Sequence, residues 1–250
     1  KSFENFCFGL LLIVCSIFNL MKKIEDKLWD KVKKWVWLFQ IIPFVKTVAV
    51  CNNLSFGIVD EKSDIDIFII TRRDRIFIAW AFSNLLLKIF KIRTDKDHVA
   101  GRFCLSFFVE EKSMNLSKIS MKDDVYLAYW ISRLVPIVDR GGTYKFLNKN
   151  KWALSLIGKE KFEVSMKMVK GANVLFLVRK FFELLYFGFI GNFFNRVIGR
   201  RFKGKTVMLK LHKADRRELF RNLYRKKVSR GEEFDEEVFL ANLKSFREKL

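Results

Sequence analysis

Histidine and cysteine are scarce in this chain. Of 250 residues, two are histidine and four are cysteine. His98 and His212 alone cannot build a histidine-rich metal site. Cys7, Cys15, Cys51 and Cys104 show no CxxC spacing and lie in apolar surroundings. They read as reduced core thiols in a reducing compartment, not as a zinc site. Internal repeats and low-complexity linkers are absent too. The apolar run FCFGLLLIVCSIFNLM at 6–21 is shorter than the roughly 20 residues a spanning helix needs. No small-residue cleavage pattern follows it, which disfavours a signal peptide. A buried or interfacial helix is the expectation. The sequence begins at Lys1 rather than Met, as a fragment or a processed chain would.

Acidic residues are outnumbered, 27 against 48 basic ones, and the formal net charge is +21. Such a chain repels itself and attracts polyanions, whether nucleic acid, nucleotide phosphates or anionic lipid, although charge alone names no partner. What is abundant is apolar: half of all residues, among them 28 phenylalanines. A substantial core follows, and global disorder is excluded.

Along the chain, Ile24, Leu28, Val32, Trp35, Val36 and Phe39 form one stripe of an amphipathic helix over 22–39. Pro43 ends it. FVKTVAVC then reads as a strand, CNNLSFG as a turn and SDIDIFIIT as a second strand. A buried helix is expected over 75–91, a third strand over 103–111, and a helix over 123–134 opened by Asp123 and Asp124. RGGTY supplies a turn before a further helix. After about residue 160 the strand signal disappears. Residues 173–198 follow an apolar helix pattern interrupted by Arg179, Lys180, Glu183, Gly188, Gly191 and Arg196. Residues 200–230 are densely basic, and the tail turns acidic from Glu232 to Glu237 before a short amphipathic helix.

The residues that carry chemistry are Asp64 and Asp66. Positions i and i+2 of a strand share a face, so the two carboxylates stand side by side with Ile65 and Ile67 turned to the core. Carboxylates so close repel unless a cation lies between them, and magnesium meets that need with oxygen ligands. A solvated strand edge, with Asp64 as a helix cap, is the plainer alternative.

A strand, a turn, about ten residues and then Asp-Ile-Asp-Ile opening a second strand resembles the nucleotidyltransferase superfamily, the DNA polymerase β-like fold. Here the strand is 45–50, the turn is Asn52-Asn53, and 54–63 intervene. The wider stretch IIPFVKTVAVCNNLSFGIVDEKSDIDIFIIT resembles a branch of bacterial nucleotidyltransferase-domain proteins, and the likeness runs over about 38–155. It implies an α+β fold: a nucleotidyltransferase-like mixed sheet with flanking helices and a helical, basic C-terminal region. The implied division is an N-terminal helical segment at 1–39, the core at 40–155 and the basic helical region at 156–250.

The resemblance implies that Asp64 and Asp66 bind Mg2+ (or Mn2+) and that Asn52 and Asn53 contact the phosphates of a nucleoside triphosphate. The family places Gly-Ser at that turn. Asparagine tolerates the left-handed region, and its amide can donate to phosphate. Active members carry a third carboxylate on a neighbouring strand. Strict alternation along 103–110 puts Phe103, Leu105, Phe107 and Val109 on one face and Cys104, Ser106, Phe108 and Glu110 on the other. The position facing the aspartates then holds Ser106, and Glu110 or Asp97 is left to substitute. Tyr129-Trp130 stands where the related branch shows a His-Glu pair.

Three functions follow as expectations. One is a cytoplasmic metal-dependent nucleotidyltransferase, which moves a nucleoside monophosphate to a hydroxyl acceptor such as RNA held by the basic C-terminal region. The second is a degenerate, non-catalytic domain of the same fold. The third is a membrane-surface protein, with 6–21 and 173–198 beside lysine clusters on anionic lipid.

Overall fold

The computed structural model describes residues 2–169, 171–200, 202, 208–210, 217–228 and 232–248; within these, side chains of 2–18, 208–210, 226–228 and 246–248 are left aside. The chain opens with helix α1 (Ser2–Ile41), so the apolar run and the amphipathic stripe are one continuous helix. Leu28, Val32, Val36 and Phe39 are buried along it, with Ile24 and Trp35 packed beside them. Pro43 and the left-handed Phe44 break the helix, and strand β1 (Val45–Cys51) begins at once. The expected turn contains a short helix, α2 (Asn52–Phe56), which Gly57 ends in the left-handed conformation.

Strand β2 (Ile65–Thr71), helix α3 (Ile76–Ile89) and strand β3 (Phe103–Glu110) fall where the sequence predicts them. Helix α4 (Val125–Ser132) is capped by the Asp124 side chain, which accepts from the Leu127 amide at 3.1 Å. Strand β4 (Val135–Asp139) and helices α5 (Thr143–Lys149) and α6 (Trp152–Leu156) follow. The apolar pattern after 172 divides into α7 (Asn173–Leu185) and α8 (Gly188–Gly199). Strand β5 (Met208–Lys210) corrects the expectation that strands end near 160. Three residues are too few to show alternation. Helices α9 (Arg217–Val228) and α10 (Glu236–Glu248) complete the described chain.

The five strands form one mixed sheet in the order β4-β1-β2-β3-β5, so the fold class is α+β with flanking helices. β1 is antiparallel to β2 and β4, β2 is parallel to β3, and β3 is antiparallel to β5. Pro136 is tolerated because β4 is an edge strand, where a missing N–H costs little. Apolar clusters cover both faces. One joins α1 and α3 to Val48, Val50, Ile65, Ile67 and Phe108. The other joins α4, α5, α9 and α10 to Ala49, Cys51, Phe68, Ile70 and Phe107. A fully buried Leu, Ile or Phe contributes about 1.5–3 kcal/mol, so two such layers hold the sheet rigidly.

Strict alternation along β3 fails, and a bulge is the reason. Ile67 pairs with Leu105 but Phe68 pairs with Phe107, which leaves Ser106 as the extra residue. Beyond it the faces exchange: Phe107 and Val109 join the second cluster and Phe108 the first. Among the described residues, no helix is long and apolar enough to cross a membrane.

Candidate metal centre

Asp66 lies in the middle of the sheet, not at a solvated edge. It pairs with Cys51 of β1 on one side and Cys104 of β3 on the other, and it is 3% exposed. Ile65 and Ile67 face the first apolar cluster, as the strand period requires. Asp64 precedes β2 and is half-buried. The carboxylates of Asp64 and Asp66 and the thiol of Cys104 offer ligand atoms that all lie within 4.8 Å of one another. That spacing suits three donors converging on one cation.

Cys104 is the residue that sequence reasoning missed. Its place beside Asp66 follows from strand register, and the one available signal was its shared parity with Ser106. Burial raises its pKa to about 12, helped by the Asp66 and Asp64 charges. Cys51 is pushed up well above its usual value by burial, then by Asp66, Cys104 and Asp64. Both thiols therefore stay protonated at neutral pH when only carboxylates face them.

The bulge aims Ser106 at Asp66, and its hydroxyl donates to a carboxylate oxygen. The residues expected to supply a third carboxylate lie elsewhere. Glu110 pairs with Thr71, five residues along β2 from Asp66, or roughly 17 Å at strand rise. It forms an ion pair there with Lys112 at 3.0 Å. Asp97 is exposed in the loop, where its amide donates to Asp95. Alternation gave Glu110 the parity of Ser106 at the strand end, but beyond the bulge the faces exchange, so neither face nor distance brings it to Asp66.

Asn52 adopts φ 56°, the left-handed conformation that asparagine tolerates. Its Oδ1 accepts from Trp130 Nε1 at 2.8 Å. An indole can only donate, so this contact fixes which end of the Asn52 amide is the carbonyl. Asn53 accepts from the Ile58 amide through its backbone carbonyl at 2.9 Å, which closes the turn around α2. Trp130 thus clamps the turn. Its neighbour Tyr129 donates to Glu236 at 2.9 Å, fastening α10 to α4.

The basic region is only partly described. Arg201, Lys203, Lys205, His212, Lys213, Arg216 and Arg230 lie outside the described residues, as do the side chains of Lys210, Lys226 and Lys227. Of the remainder, Arg217 and Arg225 meet Asp124 at 3.4 Å and Asp123 at 2.9 Å, at the acidic start of α4. Part of the positive charge therefore attaches α9 to the core.

A larger cavity, about 260 Å³, opens between α1, β4 and α7 and is lined by Gln40, Asp139, Arg140, Phe176 and Arg179. Its polar groups serve the fold. Asp139 accepts from Thr47 and Thr143, Arg140 donates to the carbonyls of Gln40 and Val45, and Arg179 holds Glu183. Donor chemistry, not volume, therefore singles out the Asp64–Asp66–Cys104 group. Compared with protein-family models, curated proteins and solved structures, the chain matches none.

Proposed function

We propose that this chain is a nucleotidyltransferase-fold protein that performs metal-dependent transfer of a nucleoside monophosphate from a triphosphate to a hydroxyl acceptor. The observation that carries the reading is the convergence of Asp64, Asp66 and Cys104 at the head of a central strand, beside the Asn52-Asn53 turn. The donor set fits a divalent cation. Held by these residues, such an ion would supply positive charge to offset the charge that develops during transfer. Asp64 and Asp66 supply the oxygens expected for Mg2+ or Mn2+. The sulfur of Cys104 favours the softer Mn2+ over Mg2+, which prefers oxygen throughout.

The chain's own groups divide the remaining work. Ser106 holds the Asp66 carboxylate in one orientation, as a supporting hydrogen bond does for a ligand. Trp130 presents the Asn52 amide with its carbonyl engaged, leaving the NH2 end as the donor for phosphate oxygen. Asp64 and Cys104 are half-buried, so they are the members of the group closer to solvent than Asp66.

A second reading rests on the thiol that stands at the third ligand position. There the fold binds nucleotide and cation without turnover, because no third carboxylate draws the proton from the acceptor. One experiment separates the two. Labelled triphosphates are offered to native protein and to Asp66→Ala, with Mn2+ or Mg2+ and a pool of RNA and small-molecule acceptors. Transfer that needs the cation and is lost in the variant supports the enzyme. Binding lost in the variant, with no transfer by the native chain, supports the non-catalytic reading. Triphosphate binding unchanged in the variant removes the metal assignment.

A further inference from the structure

We propose that the successive helices α7 and α8 are a docking element that lays an apolar face on an anionic bilayer surface. The two helices are amphipathic in the inverted sense. On α7 the buried side chains are Arg179 and Glu183, which meet each other at 2.8 Å. Glu183 also accepts from the Phe44 amide at 3.2 Å. On α8 the polar groups serve the body of the protein as well. Asn195 Oδ1 accepts from the Phe77 and Ile78 amides at the start of α3, and Asn192 accepts from Arg75 at 2.7 Å. Gly191 and Gly199 let α8 approach closely, because a Cβ at either would meet Tyr186 O or the Phe77 ring.

The face turned outward is apolar. Leu184, Phe187 and Phe189 are 77%, 69% and 84% exposed, and Leu177, Phe181 and Phe193 are also more than half exposed. A patch this dense marks an interaction site rather than ordinary surface. Charge names the partner. Exposed Arg196 and Arg200 border the patch, with Lys180 beside them at 3.4 Å from Glu183, while Glu183, the one acid between 171 and 200, is turned inward and also paired with Arg179. Against a second copy of this chain, like charges would meet. An anionic headgroup layer complements both the cations and the phenylalanines.

Length decides how the two helices sit. Thirteen and twelve residues make helices of about 20 and 18 Å, short of the roughly 30 Å hydrocarbon core. The pair therefore lies in the interface and does not cross. It is fastened at Phe44, whose carbonyl receives the Arg72 amide beyond the last residue of β2. Asp66 lies near the other end of that strand. Docking therefore engages the end of β2 away from the candidate metal centre, and the inference stands independently of the proposed reaction.

The test is co-sedimentation of the full chain with phosphatidylglycerol-containing vesicles and with pure phosphatidylcholine vesicles. The chain is expected to partition onto the anionic vesicles far more strongly, and less so in high salt. Leu184→Ser combined with Phe189→Ser should weaken partitioning at least tenfold while leaving the thermal unfolding midpoint in place. Should that variant unfold, Lys180→Glu with Arg196→Glu replaces it and is expected to abolish the anionic preference. Equal binding to both lipids, no binding, or undiminished binding by the folded variants overturns the proposal. So does a vesicle-free oligomer that the Leu184→Ser/Phe189→Ser variant dissociates.

Discussion

The two ends of β2 solve the same problem differently. Near its C-terminal end, buried carboxylates are matched by the chain's own cations: Glu110 by Lys112 at 3.0 Å, and Glu183 by Arg179 at 2.8 Å. At its N-terminal end Asp66 receives the Ser106 hydroxyl and shares ligand distance with Asp64 and Cys104. Burying a charge costs several kcal/mol unless it is paired or coordinated. One end therefore builds a closed structural joint. The other assembles donors that suit an ion from solution.

The comparison breaks most visibly at Asp66. Asp66→Asn should weaken Mn2+ affinity at least about 100-fold, since loss of a mere supporting partner already costs about 10–100-fold. Equilibrium dialysis checks this. At the structural end, Glu183→Ala strands Arg179 and should cost about 3 kcal/mol of stability in urea unfolding, with Mn2+ affinity unchanged. Cys104→Asp sharpens the contrast by making the donor set all oxygen. It should reverse the preference from Mn2+ towards Mg2+ by roughly tenfold in competition titrations. Trp130→Phe removes the clamp on Asn52 and should cost about 1 kcal/mol in triphosphate affinity, leaving the cation site intact.

The smallest effect is one of pH. Burial of Glu183 opposes its charge, but Arg179, the Phe44 amide, Arg72 and Lys180 together outweigh it and hold the carboxyl below its usual value. A lowered folded pKa stabilises fully above the unfolded value of about 4.3 and less as pH falls towards the folded one. The α7 joint should therefore loosen below about pH 4.3, seen as amide exchange rising first in α7. Glu183→Gln should flatten that dependence.

Legibility followed the same division. The α1 stripe was readable from its helical period, and β1, β2, α3 and β3 from β-branched or apolar runs of seven or more residues. β4 was not, being five residues long with Pro136 inside, and β5 offers three residues. Asp64 and Asp66 were readable from their spacing at the head of one strand. Cys104 was not, because it joins them across strands through a register that a bulge at Ser106 resets two residues later. Strand parity finds partners on one strand; only register finds them between strands. The inverted polarity of α7 was hidden for a related reason. Arg179 and Glu183 sit four apart as an ordinary surface pair would, and only their joint with Phe44 reveals which face is inside.

The central claim is that Asp64, Asp66 and Cys104 hold one divalent cation. Co2+ titration followed by near-ultraviolet absorption tests it most directly, because a thiolate on cobalt gives a charge-transfer band that carboxylates do not. The account predicts a saturable band at one equivalent, lost in both Cys104→Ser and Asp66→Asn. Absence of the band, or its persistence in Cys104→Ser, would contradict it.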